Sequence, residues 1–422
     1  MKTIAFILLT IFTVTTFYSQ SYEIDFAGTG DTTVVDSVLV KNLNQGIFLT
    51  IKGNDVLKLN TITGIYNNAS DINLLQVYPN PMTEQAEIQF YLAKSSNVMV
   101  EVYDVAGRAV IQSNKFLHPG IHKYLVSGLK QGMYIVRINE QNTFKTTKLI
   151  SQNHLNCDAE IKYVSSNNLQ SNQSQIKKIK STASTIDMYY NEGDRLMFTG
   201  MSGNYRTVVT DIPSGNNTIT FDFMDCTDGD DNHYTVVKIG TQTWMAENLK
   251  TTKYNDSTNI PMEADYTAWA NLTTPAYCWL NNIIINKNIY GALYNWYTVE
   301  TGNLCPAGWH VSTDDEWITL RNYLGGESIA GGKLKETGSS HWKSPNSGAT
   351  NESGFTALPG ACRLDENGNF WGGNGETAFW WSSTQVSSNL AWYWNVWWGD
   401  VDIYRSTVVG KKSGMSVRCV RD

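Results

Sequence analysis

The sequence predicts a multidomain protein, with all-β, sandwich-like modules followed by a mixed α+β domain at the C-terminus. Three observations predict it. A chain of 422 residues exceeds one ordinary core and suggests roughly two to four domains. Its first half alternates apolar and polar residues in short runs broken by Gly- and Asn-rich turns, the pattern of half-buried strands and hairpins. All 14 tryptophans lie from Trp244 onward. That shift is hard to produce within one core and places a border near Cys226.

The N-terminus has the form of a signal peptide. Lys2 supplies the positive end, Ile4 to Phe17 are apolar apart from threonines, and Ser19, Gln20 and Ser21 offer a cleavage region. The apolar stretch falls short of the roughly 20 residues a membrane span needs, and no later segment is apolar enough to span. Strands are expected at Tyr22 to Phe26, Val34 to Val40 and Ile47 to Ile51. They recur at Ala86 to Tyr91, Val98 to Tyr103 and Gly132 to Ile138, with Asp104 to Arg108 as a turn. Residues 160–180 are rich in Ser, Asn, Gln and Lys without apolar period, as in a linker. The basic run Lys177-Lys178-Ile179-Lys180 is a solvated face of it. Strand signals return at Ile186 to Tyr190, Arg195 to Phe198, Tyr205 to Thr210 and Thr218 to Phe223. These either form a third β unit or complete the one begun near residue 22.

Two helices are expected beyond the border. Thr313-Asp314-Asp315-Glu316 is a capping box, after which Trp317, Leu320 and Leu324 share a face and Gly325-Gly326 ends the helix. The second runs from Ile289 to about Glu300, with Ile289, Leu293, Trp296 and Tyr297 as its apolar stripe and Gly302 closing it.

Four motifs in order carry a family resemblance: Val77-Tyr78-Pro79-Asn80-Pro81, Val102 to Arg108, Leu129 to Val136, and Lys145 to Leu149. Here the chain resembles the sorting domain that the type IX secretion system recognises in Bacteroidetes, which implies export machinery as a partner. A second set spans nearly all of residues 226–422. It comprises Ile239 to Leu249, Tyr277-Cys278-Trp279, Tyr290 to Trp296 and Leu304 to Val311. It closes with Gly354 to Gly360, Trp380 to Thr384 and Gly414 to Arg421. This stretch resembles the Fibrobacter succinogenes major paralogous domain. The resemblance implies a C-type-lectin-like fold shared with formylglycine-generating enzymes. The expected organisation is a signal peptide at 1–20, a small β unit at 21–70 and a sorting-like β-sandwich at 71–150. A linker-like stretch at 151–184, a β unit at 185–225 and the lectin-like domain at 226–422 follow.

A net charge of -7 argues against electrostatic binding to nucleic acid, which needs clustered cations. Six cysteines in an exported chain favour disulfides over a metal site, since none forms a C-x-x-C pair. Within the lectin-like domain the pairings Cys278–Cys362 and Cys305–Cys419 would staple it twice. His310 and His341 are candidate bases, but neither lies in a recognisable nucleophile motif, and no thiolate pair matches formylglycine chemistry. No cofactor is expected. Asp228-Gly229-Asp230-Asp231-Asn232 offers oxygen ligands for a structural calcium, and a turn explains the same residues. Sugar-binding C-type lectins, which this stretch resembles in its expected fold, hold calcium and sugar hydroxyls through a Glu-Pro-Asn or Gln-Pro-Asp tripeptide; here Ser344 precedes Pro345-Asn346, so calcium-dependent sugar binding by that route is unsupported.

The strongest functional signal is aromatic. In a strand, Tyr393, Asn395 and Trp397 point one way and Trp392, Trp394 and Val396 the other. One set belongs to the core. The set of Tyr393, Asn395 and Trp397, with Trp371 and Asp400 as neighbours, would present a flat surface to sugar rings or peptide side chains. The reading is a non-enzymatic, secreted or cell-surface recognition protein whose partner is a polysaccharide or a surface protein. A structural envelope component and a degenerate formylglycine-type enzyme are the alternatives.

Overall fold

The computed structural model describes residues 21–61, 75–78, 80–92, 96–117, 120–140, 143–152, 159–167 and 184–422. The signal-peptide reading, the basic run 177–180 and Cys157 lie outside these residues. Among the described residues strand accounts for 47% and helix for 11%, so the fold is mostly β. The chain forms two compact units. One comprises residues up to 66 together with those from 182 onward; the other comprises residues 67–181.

The unit of residues 67–181 is built from two four-stranded antiparallel sheets. One runs Thr143–Ser151, Gly132–Glu140, Ser96–Asp104 and Ala109–Leu117; the other runs Glu160–Asn167, Gly120–Ser127, Gln85–Leu92 and Leu75–Tyr78. Alternate residues of both (Val98, Val100, Val102, Val136 and Ile138 from one, Ile88, Phe90, Tyr124 and Val126 from the other) fill a common core. The expected turn at Asp104 to Arg108 forms. The Asp104 carboxylate accepts from the backbone amides of Ala106 and Arg108 at 2.9 and 3.0 Å, closing the loop on its own side chain.

In the other unit, the two strand-rich segments on either side of residues 67–181 interleave. Ser21–Gly30 runs parallel to Asn217–Phe223, Val56–Thr61 runs parallel to Thr185–Tyr190, and Ser37–Asn42 pairs antiparallel with Leu196–Ser202. Ile24, Val38, Leu57, Tyr190, Phe198 and Phe221 form their shared core. The second of the two sheets does not stop at Cys226. Tyr205–Asp211 pairs in parallel with Val236–Ile239, and the sheet continues through Gln242–Met245 and Cys419–Arg421 to Trp309–Val311.

The C-terminal region adds helices and short sheets around two tryptophan-rich cores. Helix Asp314–Tyr323 begins at the expected capping box: the Thr313 hydroxyl accepts from the Glu316 amide at 3.2 Å, and the Glu316 carboxylate accepts from the Thr313 amide at 2.7 Å. Trp317 and Leu320 are buried on one face. The helix expected from Ile289 to Glu300 is not continuous. A turn of helix, Lys287–Tyr290, gives way to strand Ala292–Tyr294 and then to a second helical turn, Trp296–Val299. Gly291 sits at φ +76°, outside the helical region and open mainly to glycine. The strand it releases pairs with Tyr277–Trp279, whose tertiary contacts override the helical periodicity. Asn295 then caps the next turn by accepting from the Thr298 amide at 3.2 Å.

Candidate functional site

Three antiparallel strands, Thr377–Gln385, Ala391–Trp397 and Ile403–Ser406, carry the densest aromatic sequence of the chain. On one face Trp380, Trp394, Val396 and Ile403 are buried with Trp244 and Trp317, and the Trp317 and Trp394 rings stack at 5.9 Å. Trp392 lies under the Arg405 guanidinium, 3.4 Å from its ring centre. Arg405 in turn donates to the Asp314 carboxylate at 2.8 Å.

The opposite face carries Trp381, Tyr393, Phe379, Asn395 and Trp397, and it is divided along its length. Tyr393 is only 5% exposed. It packs on Phe379 at 6.0 Å and on Trp381 at 6.2 Å, so it belongs to the core and not to the open surface expected of it. The register gives the reason. Tyr393 lies between Trp381 and Ser406 in the middle of the sheet, whereas Trp397 opposes Thr377 at its end.

That end is open. Trp371, 46% exposed, arrives on the short hairpin of Cys362–Arg363 and Phe370–Trp371. Its ring centre lies 6.0 Å from that of Trp397, at 65° to it, and 5.7 Å from that of Phe379. Asn395 and Trp397 are half-buried. Among the described residues, the Asn395 amide and the two indole N–H groups have no hydrogen-bond partner. Asp400, in the following turn, accepts from the Tyr404 hydroxyl at 2.8 Å, a bond that pushes the Tyr404 pKa up to about 12. An aromatic corner with free donors at its rim can stack on the apolar face of a ring while bonding the polar groups at its edge.

Three contributors escaped the sequence reading. Phe379 supports Trp371 from below, and Tyr404 faces Asn395 across the strands; two-residue alternation in Ile403–Ser406 carried a signal for the latter. Lys335 carried none. Fully buried, its Nζ donates to the carbonyls of Ser347 and Trp397, each at 2.9 Å, and of Asp400 at 2.7 Å. It thereby pins the turn on which Trp397 and Asp400 sit. Desolvation pulls its pKa down to about 8.

The acidic loop is organised as a turn. The Asp228 carboxylate accepts from the amides of Asp230 and Asn232 at 2.9 and 3.0 Å, from the Asn232 side chain, and from the Tyr234 hydroxyl. Asp230 accepts from the Thr252 hydroxyl at 2.7 Å and pairs with Lys253 at 3.4 Å. Asp231 occupies the left-handed region at φ +60°. Among the described residues, no group of three or more His, Cys, Asp or Glu could hold a metal ion.

Cys305 and Cys419 form a disulfide across 114 residues of sequence. Cys278 and Cys362 do not pair; both are free and buried, as is Cys226. Cys362 and Arg363 are successive strand residues and point to opposite faces. Cys278 packs with Trp269, on whose ring the Arg363 guanidinium lies at 4.4 Å, while Cys362 belongs to a different core. Burial pushes the thiols of Cys278 and Cys362 up to about 12, so they remain protonated at neutral pH. His310 has both nitrogens engaged, Nε2 with Glu316 at 2.9 Å and Nδ1 with Asp422 at 2.6 Å. His341 binds Glu336 at 2.8 Å.

Residues 237–421 match the family described as the Fibrobacter succinogenes major domain. Residues 76–152 match the secretion system C-terminal sorting domain. No curated protein matches the chain. A solved structure similar to it in part is the crystal structure of dimeric latent PorU from Porphyromonas gingivalis. That chain is 21% identical over 25% of this chain and 11% of its own length, with a TM-score of 0.16. No helix among the described residues is long and apolar enough to cross a membrane. A sorting-domain match and a Fibrobacter succinogenes major domain match on one chain mark it as a secreted or cell-surface protein.

Proposed function

We propose that the protein is a non-enzymatic recognition protein whose C-terminal, C-type-lectin-like domain binds polysaccharide through the corner formed by Trp371 and Trp397. The observation that carries the reading is the exposed Trp371 ring meeting Trp397 at 6.0 Å beside the unpartnered Asn395 amide. Large exposed aromatic surface is costly in a soluble protein and marks contact sites. Affinity electrophoresis of the mature chain through gels containing plant or microbial polysaccharides tests it. Retardation by at least one polysaccharide, lost in Trp371→Ala, is expected. Equal mobility of wild type and variant in every gel would refute it.

A second reading is a structural envelope component without a small ligand. It is favoured by the burial of most of the tryptophans, including Trp244, Trp317, Trp380, Trp381 and Trp394. Uniform mobility together with assembly into insoluble surface material would support it.

A further inference from the structure

A second concavity lies where the parallel strands of the long sheet part. The ladder between Tyr205–Asp211 and Val236–Ile239 covers only Thr207–Val236 and Val208–Val237. Beyond those pairs a cavity of about 590 Å³ opens, lined by Val209 and Thr210 on one side and Lys238 to Gly240 on the other. That is within the range of about 300–1,000 Å³ typical of small-molecule sites.

Its chemistry is specific. Tyr323, the last residue of helix Asp314–Tyr323, stands 65% exposed at the mouth. Its ring rests on Gly240, where φ is +63° and a Cβ would come within 2.8 Å of the ring, so the platform depends on glycine there. Arg195 and Lys238 line the cavity with no ion-pair partner among the described residues, although the chain as a whole carries a charge of -7. Lys333 is paired with Glu352 at 2.9 Å on the far wall, and Asp222 completes the charged lining.

We propose that this groove binds an acidic saccharide. Tyr323 stacks on a sugar ring, Arg195 and Lys238 take its carboxylate or sulfate, and Glu352 and Asp222 accept from its hydroxyls. An aromatic platform, two free cations and acceptor carboxylates in one open cleft match that class of ligand. A neutral glycan would leave both cations unused. The site is separate from the Trp371–Trp397 corner and does not depend on it.

Isothermal titration of the mature full-length chain at low salt tests the proposal, with oligogalacturonate, a sulfated galactan oligosaccharide and neutral cello-oligosaccharide as ligands. Binding to one or both acidic probes is expected, at least tenfold tighter than to the neutral one. Oligogalacturonate alone would assign a carboxylate ligand, and the galactan alone a sulfate. Arg195→Glu with Lys238→Glu should weaken that binding at least tenfold, and Tyr323→Ala should weaken it independently. Both variants alter surface side chains, and an unchanged thermal melt verifies folding. The proposal is overturned by absence of acidic-probe binding, by equal affinity for the neutral probe, or by binding that survives both variants. Loss of binding in Trp397→Ala alone would also overturn it, by moving the ligand to the other site.

Discussion

His310 shows how a single residue acquires a role that its sequence neighbourhood does not announce. Hydrogen bonding to Glu316, reinforced by Asp422, holds its pKa at about 9 against 6.5 in the free side chain. A raised pKa stabilises the fold through the protonated form. This contribution is fully present below about pH 6.5 and is lost as the pH rises through about 9. Melting wild type and His310→Gln across that range should show a stability gap at low pH that closes above it. A pH-independent gap would show that the ring acts by packing alone. Lys335 is the second such residue. Lys335→Met would leave three carbonyls without their donor, at about 1–3 kcal/mol for each buried group left unpaired. A lowered melting temperature is expected and, if the proposed function holds, weaker polysaccharide binding from a loosened Trp397 turn; an unchanged melt would mean that water replaces the ammonium. Neither partner set was legible, because Ser347, Trp397 and Asp400 converge on Lys335 only in the folded chain. Tyr393 was misplaced for a related reason: alternation assigns a face, but the neighbours that cover part of it come from elsewhere.

Among the elements, those whose information is local were the most legible. The capping box at Thr313 and Glu316 was readable because both partners lie within one turn. Thr313→Ala should cost about 1 kcal/mol, measurable as a drop in melting temperature, and no change would mean that Asp314 or water replaces the cap. The stretch from Ile289 to Glu300 has helical periodicity yet folds as turn, strand and turn, because Gly291 breaks it and Tyr277–Trp279 recruits the middle. Helix Glu327–Leu334 was missed since Gly331 and Gly332 lie inside it, both poor helix formers. The Cys305–Cys419 bond ties Cys419–Arg421 to the segment leading into Trp309–Val311. Closing a loop of 114 residues, it should contribute about 3–5 kcal/mol. Cys305→Ser or full reduction should therefore lower the melting temperature clearly, while a small change would indicate structure retained in the unfolded chain.

For the whole molecule, the alternating strands made the β-rich character legible, whereas the tryptophan distribution pointed to a border near Cys226 that does not divide the two compact units. They did not show that the long sheet runs past Cys226, since the parallel pairing of Thr207 with Val236 joins strands that no local pattern relates. The same limit applies to the candidate site. Trp397 and Asn395 are neighbours on one strand, but Trp371 reaches them only through a separate hairpin. What remains at the surface is a small aromatic corner on a secreted or cell-surface protein. The direct test of the proposed function is an intrinsic-fluorescence titration of the protein against a panel of plant and microbial polysaccharides. Because Trp371 is the most exposed tryptophan and Trp397 its neighbour, a saturable emission shift in wild type that vanishes in Trp371→Ala/Trp397→Ala is expected. A saturable shift of equal size and midpoint in that double variant would contradict the account.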